Sequence, residues 1–476
     1  MRTTYYTHAC FQMVTAQGVR LLCDPWTYNP VSNALWQFPE CPIPAATFTD
    51  QDVLYISHNH VDHFCPRTLA HFSRDIPIVI RRYGDLDNPI KPTLVELGFQ
   101  TIIEVAHGET KTVLKDLTLS LYADLSTFDS AIVVSDGHHE VFHQNDCMLS
   151  LEDARRIGSL HKIELALLGL VNSSIYPTFF VMDPETKSSE TAVRKQKVID
   201  RTSDYAEAVG ASFVIPCASD MVYIRFPASD PFLGPHAVEF QADARARGRS
   251  FEVIPMSPGD VFDLDAPGQN YRPAYDSHED LEAQLAALRL RPDIRAVFEA
   301  IEAWEAGFDY DHQAFCRQFE DYCRHLTHNF QTLLEGQLRS TSNRIFRVRL
   351  VLKSSHDNTR AIEIAVDYGG LTIGMAQTKA RLDPEGVDMV LVFEDRYLGM
   401  LMAGAMEFDD IRSGWMDIHR PGPFSPEEIA FWHIMMLFSA WRREAGLAQT
   451  TEAFKGQISS VFGSLTRPTE RLAAPA

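Results

Sequence analysis

The sequence predicts an α/β protein in which residues 1–268 form an αββα sandwich, residues 269–340 a helical connector and residues 341–460 a smaller α+β domain, with 461–476 as a flexible tail. Three observations carry this expectation. Short apolar runs bounded by turn residues alternate with longer helical patterns, as they do where helices cover sheets. One of those runs, residues 53–56, opens directly into a loop holding three histidines and an aspartate. After a helical stretch, strand-like alternation returns from residue 344, so a second core belongs to the C-terminal part.

Residues 2–22 read as two strands joined at Gln17-Gly18, a common hairpin signal. Residues 28–48 place Pro30, Pro39, Pro42 and Pro44 around Trp36 and Phe38, a loop suited either to lining a pocket or to plain surface packing. A helix begins near Thr68, a strand follows at 76–80, and a helix at 92–97 stops at Gly98, where a C-cap glycine belongs. Strands at 101–105, 116–122 and 130–134 come next, and after the Asp136-Gly137 turn Val141 and Phe142 lead into Asp146. Residues 161–170 read as a buried strand, 190–209 as a long helix and 212–216 as a strand running into Asp220. The Pro- and Gly-punctuated run 227–267 closes the first domain. Leu281, Leu285, Leu288, Phe298, Ile301 and Trp304 then recur at helical spacing. Strands at 346–352 and 362–366 open the last region. Its final helix has Ser425 as N-cap, Pro426 first in the helix and Glu428 completing a capping box, with Arg442 and Arg443 near the negative end.

Composition narrows the function classes. The 43 Lys and Arg against 64 Asp and Glu give a net charge of −21, a field that repels a phosphate backbone and argues against nucleic acid as a partner. Eight cysteines without a C-x-x-C pair or a secretory leader pattern suit a reducing cytoplasm. The longest apolar stretch, 429–441, is too short to span a bilayer, so no membrane is expected.

The chemistry concentrates at His58, His60, Asp62 and His63. Imidazole and carboxylate are the ligands that divalent first-row metals prefer at neutral pH. His58 and His60, two apart on an extended chain, fall on one side. The reversal that follows turns Asp62 and His63 toward a second ion, roughly 3.5–4 Å away as in two-metal sites.

This H-x-H-x-D-H loop, with Thr7-His8-Ala9 and Cys23-Asp24-Pro25-Trp26 before it and Asn145-Asp146-Cys147 after it, resembles the metallo-β-lactamase superfamily. The likeness covers residues 1 to about 265 and is closest to the branch with CMP-N-acetylneuraminate hydroxylase and di-iron monooxygenases, which is related to ascorbate-6-phosphate lactonases and N-acylphosphatidylethanolamine phospholipase D. Residues 389–415 loosely resemble sterol-carrier-protein-like domains. The resemblance implies His58, His60, Asp62, His63 and Asp146 as metal ligands, Asp146 bridging. Asp124, standing where a lactonase has histidine, is expected as an added metal ligand, and Asp220 stands near the strand end that lacks the last histidine. Asp220 reads as an exposed turn residue. His8 and Asn145 are expected to support the ligands from behind, and Asp62 and Tyr176, in a Tyr-Pro step, to be the catalytic candidates. His107, His138 and His139 read as exposed turn residues, and His143 as pointing away from Asp146.

Carboxylates where imidazoles are usual favour two iron ions over zinc or manganese. The resemblance therefore implies a di-iron monooxygenase acting with O2 on a small organic substrate. A metal-dependent hydrolase of a lactone or phosphodiester is the alternative, and a non-catalytic binding protein with a decayed site the third. With no C-x-H…C-x-x-H signature in the sequence, electrons would come from a separate donor protein.

Overall fold

The computed structural model describes residues 1–30, 35–41, 49–83, 88, 90–124, 129–170, 175–219, 221–224, 234–268, 271–329, 341, 344–354, 359–370, 372–412, 415–420 and 425–447. Asp220, Pro42, Pro44 and the expected tail lie outside the described residues, as does the side chain of Arg443.

Two seven-stranded sheets make the first core. One runs Val261–Asp263, Arg2–Thr7, Cys10–Val14, Arg20–Cys23, Val53–Ile56, Ile78–Arg81, Ile102–Val105, and the other Glu252–Val253, Phe213–Cys217, Leu165–Gly169, Glu140–His143, Ser130–Ser135, Leu117–Ala123, Thr110–Leu114. Each strand sends alternate residues to opposite faces. The inner faces meet through Phe11, Leu21 and Tyr55 on one side and Leu119, Ile132 and Leu167 on the other. The outer face of the second sheet, with Val133 and Phe142, is covered by the helices Leu151–Leu160, Pro184–Val209 and Ala237–Ala246. Lys91–Glu96 and the single turn Pro66–Leu69 cover the outer face of the first. The αββα expectation holds.

Two of those helices were not expected. Leu151–Leu160 buries only Ala154 and Ile157, so its apolar stripe is too thin to read, although Ser150 caps it by accepting from the Asp153 amide at 3.0 Å. Ala237–Ala246 lies within the run expected to be irregular, and its inward face is only Phe240 and Ala244.

The helices His278–Arg289 and Pro292–Glu305 pack Leu281, Leu285, Val297 and Ile301 against Trp36, Phe38 and Val222. Leu35–Gln37, inside the proline-rich loop, pairs with Met221–Tyr223 as a small two-stranded sheet. The last sheet has five strands in the order Thr372–Thr378, Arg360–Asp367, Ile345–Lys353, Met389–Glu394, Asp417–His419. Its core cluster takes in Phe315, Phe319 and Tyr322 from His312–Asn329 and Phe431, Met435 and Phe438 from Pro426–Glu444.

That last helix departs from expectation at both ends. Ser425 accepts from the Glu428 amide at 3.4 Å, but the Glu428 carboxylate is buried and pairs with Arg420, so the reciprocal half of a capping box is not made. Arg442, buried as well, donates to the carbonyls of Leu401 at 2.5 Å and Met402, at the end of another helix, Asp395–Ala403.

The two cores are continuous. Trp26, Leu35, Cys65, Phe179, Phe180 and Tyr223 belong to the same buried cluster as the five-stranded sheet. Phe180 bridges Ile418 in parallel, with Val181 N donating to Ile418 O at 2.9 Å and Ile418 N to Phe179 O at 2.8 Å. The C-terminal region thus rests on residues flanking the histidine loop.

Gly158 lets the helix Leu151–Leu160 meet the C-terminal end of Pro184–Val209, since a β-carbon there would stand 2.7 Å from the Val209 carbonyl oxygen. Backbone cannot yield as a flexible side chain can, so Gly158→Ala should destabilise the fold by about 1–3 kcal/mol. Chemical denaturation checks this, the expected result being a lower midpoint at unchanged slope.

Candidate metal centre

The centre is built where strands end. Val53–Ile56 delivers Ser57 and His58; Arg20–Cys23, paired beside it in parallel, delivers Asp24. Arg2–Thr7 ends at His8, and Glu140–His143 ends three residues before Asp146. Three of the connecting residues, His8, Asp24 and Asn145, have positive φ of 49°, 41° and 53°. Such backbone is uncommon outside glycine, Asn and Asp adopting it most readily, and here it turns each chain sharply off its strand.

Asp24 organises the loop. Its Oδ1 accepts from the Ser57 amide at 2.8 Å, and its Oδ2 accepts from Ser57 Oγ at 2.6 Å and from His63 Nδ1 at 2.8 Å. All three residues are buried. Ser57 has one hydroxyl proton and gives it to Asp24, so its oxygen accepts from His58 Nδ1 at 2.9 Å. Each histidine is therefore protonated on Nδ1 toward this support, which leaves Nε2 turned the other way. A histidine ligand held by a carboxylate through its second nitrogen is a recurrent feature of metal sites.

The Nε2 of His63 lies 3.4 Å from Asp146 Oδ2 and 3.7 Å from Asp62 Oδ2, and His8 Nε2 lies 3.2 Å from the same Asp62 oxygen. Two groups result, His8 with Asp62 and His63, and His58 with His63 and Asp146, each with its ligand atoms within 4.8 Å of one another. They share His63. His60, exposed at the rim, places Nδ1 2.8 Å from His58 Nε2. Two nitrogens on one ion at about 2.0–2.1 Å stand roughly 2.9–3.4 Å apart between right-angled and tetrahedral geometry, so these two point at a common place.

The electrostatics ask for a cation. Burial alone would raise the pKa of Asp62 and Asp146, yet the His63 charge between them outweighs it and holds both well below the usual carboxylate range. Burial would lower His63, but Asp146 and Asp62 outweigh that and raise it. Burial, with His63 and His60 adding to it, lowers His58, which stays neutral with its lone pair available. His63 Nε2 and Asp146 Oδ1 are buried and make no hydrogen bond, a cost that proteins avoid unless a ligand or ion completes the shell. The residues fit a metal.

The remaining candidates divide. Asp124 belongs to neither group: its carbonyl accepts from Arg81 Nη1 at 3.0 Å and its amide serves Cys147. The neighbouring Asp129, not singled out as a ligand from the sequence, comes 3.9 Å from His58 Nε2. Asn145 does not hold Asp146; its Nδ2 donates to Ser130 O at 3.3 Å, while its twisted backbone turns the chain into Asp146. His143 does face away, with Nε2 donating to Ala9 O at 3.1 Å and burial pushing its pKa down to about 4. His139 is not simply solvated, since it pairs with Glu164 at 3.1 Å and Asp265 at 3.0 Å. Tyr176 is engaged elsewhere: burial and the nearby Glu190 carboxylate raise its phenol pKa to about 12, and its ring packs on Phe180. His8 is closer in than a supporting role requires, with the Trp26 ring packed at right angles to it, centroids 5.5 Å apart. The sequence reading missed the role of Asp24, whose one signal was an aspartate at the end of the strand beside the histidine strand.

Residues 2–218 match the profile of the beta-lactamase superfamily domain. Among curated proteins the chain is 29% identical over 283 residues to a putative Rieske 2Fe-2S iron-sulfur protein of Mycobacterium tuberculosis, which covers 56% of this chain and 54% of that protein. It is 31% identical over 156 residues to the cytidine monophosphate-N-acetylneuraminic acid hydroxylase of Cricetulus griseus, covering 31% of this chain and 27% of that one. The chain thus spans about half the length, or less, of the curated relatives it matches. Among solved structures, CmlA, a diiron beta-hydroxylase from Streptomyces venezuelae, aligns with a TM-score of 0.34 at 16% identity, over 53% of this chain and 52% of that one. With the profile match and two facing sheets covered by helices, the N-terminal part of this chain is a beta-lactamase superfamily domain of the metallo-β-lactamase fold.

Proposed function

We propose that this protein is a non-haem di-iron monooxygenase that oxygenates a small organic substrate with O2 and electrons from a separate donor protein. The observation that carries the reading is the pair of ligand groups sharing His63, which mixes imidazoles with the Asp62 and Asp146 carboxylates. Similarity to the cytidine monophosphate-N-acetylneuraminic acid hydroxylase over 156 residues supports oxygenation over hydrolysis. In this reading His58, His60 and Asp146 would hold one ion and His8, Asp62 and His63 the other, so that His8 serves as a ligand. Two irons bound there supply the exchange of electrons with O2 that no side chain provides.

The chain's own residues do the rest. Asp24 and Ser57 fix the ring orientation of His63 and His58. Trp26 and the C-terminal cluster it joins keep water from the His8 side. Four imidazoles also suit zinc, which leaves a hydrolase of a lactone or phosphodiester as the second reading.

Asp24→Asn removes the charge behind His63 without touching an ion and should weaken metal binding about 10–100-fold. His60→Ala should lower the metal bound by roughly one ion of a two-ion site. Metal analysis after dialysis measures both, and native metal content in either variant would contradict these assignments.

The class of reaction is tested by adding reductant without air, then readmitting air, while visible absorption is followed. A band that bleaches and returns is expected. A colourless protein with zinc that hydrolyses a lactone or phosphodiester under nitrogen would overturn the oxygenase reading.

A further inference from the structure

The chain carries 64 carboxylates against 43 Lys and Arg, so a half-buried arginine has many acids to choose from. Arg194 and Arg201, on the helix Pro184–Val209, take none: among the described residues neither forms an ion pair or donates a side-chain hydrogen bond. The Nε of Arg194 is fully buried without a partner. Residues 194, 198, 201 and 205 follow helical spacing and share one face. Tyr205, the last of them, has a buried hydroxyl that also bonds nothing.

That face packs on the second sheet close to Asp146, with Val198 and Tyr205 in one buried cluster with Phe142 and Cys147. Thr202 Oγ1 donates to Gly169 O at 3.1 Å, fixing the helix on the end of the strand beside Glu140–His143. The Asp146 carboxylate is near enough to act on the Arg201 charge, though not within 4.0 Å of it, and the Tyr205 phenol feels Cys147, Arg201 and Asp124. Burial, with the like charge of Arg194, lowers the Arg201 pKa. Two adjacent cations partly withdrawn from water and unpaired cost stability, which an incoming anion would recover.

We propose that Arg194 and Arg201 form an oxyanion subsite that holds a carboxylate or phosphate of the substrate beside Asp146, with the Tyr205 hydroxyl as a neutral donor. Planar guanidinium forks match such groups bidentately. The proposal deepens the functional reading above and rests on it for the word substrate; the subsite itself stands on the helix.

Calorimetric titration of the metal-loaded full chain with inorganic phosphate, and separately with acetate, tests it. One anion should bind, and the tighter of the two tells phosphate from carboxylate. Arg201→Gln and Arg194→Gln should each weaken binding about tenfold, equivalent to about 1.4 kcal/mol. Arg201→Lys, which keeps the charge but loses the fork, should weaken it severalfold and covers the case in which the glutamine variant does not fold. Both glutamine variants should keep the native metal content, which separates this proposal from the metal reading. Binding of neither anion, native affinity in both glutamine variants, or metal lost together with anion binding in them would each overturn it.

Discussion

The contact between Asp24 and His63 underlies the rest of the centre. It occupies Nδ1 of a buried histidine, so the opposite nitrogen faces Asp62 and Asp146 and belongs to both ligand groups. Its placement depends on fold. Arg20–Cys23 and Val53–Ile56 are parallel neighbours, which brings the ends of both strands to the same edge. The same edge is tied to the second sheet, where Ser130 Oγ donates to Ser57 O at 2.6 Å and stands 2.8 Å from the buried Tyr55 hydroxyl. Polar groups buried this fully hold one arrangement because each alternative leaves a donor or acceptor unmet.

The second constraint is continuity between the two cores. Trp26 packs at right angles to the His8 ring and also belongs to the buried cluster of the C-terminal sheet. The Phe180–Ile418 bridge adds main-chain hydrogen bonds at the same junction. The surroundings of the centre are therefore shaped by both parts of the chain, and the helix bearing Arg194 and Arg201 starts only a few residues after that bridge.

Legibility in the sequence followed the strength of local pattern. Strands such as 53–56 are apolar throughout because helices or a second sheet cover both faces, and those could be read directly. The helix Leu151–Leu160 could not, because two buried residues in ten leave no visible stripe. The histidine loop was legible because its ligands are contiguous. Asp24 and Asp129 were not, because their approach depends on which strands neighbour each other and on a left-handed backbone at Asp24 that no local pattern announces. Tyr176 and Asp124 looked suitable by type and place, but Tyr176 faces Glu190 and Phe180, and Asp124, its backbone held by Arg81 and Cys147, joins neither ligand group, an outcome of tertiary packing that no local pattern shows.

The central claim is that the two ligand groups meeting at His63 hold two ions. Anomalous diffraction from crystals of the iron-loaded protein, collected on either side of the iron edge, tests it most directly. The account predicts two iron peaks roughly 3.5–4 Å apart, one beside His58, His60 and Asp146 and one beside His8, Asp62 and His63. A single peak, or two peaks of which neither lies within bonding distance of His63, would contradict it.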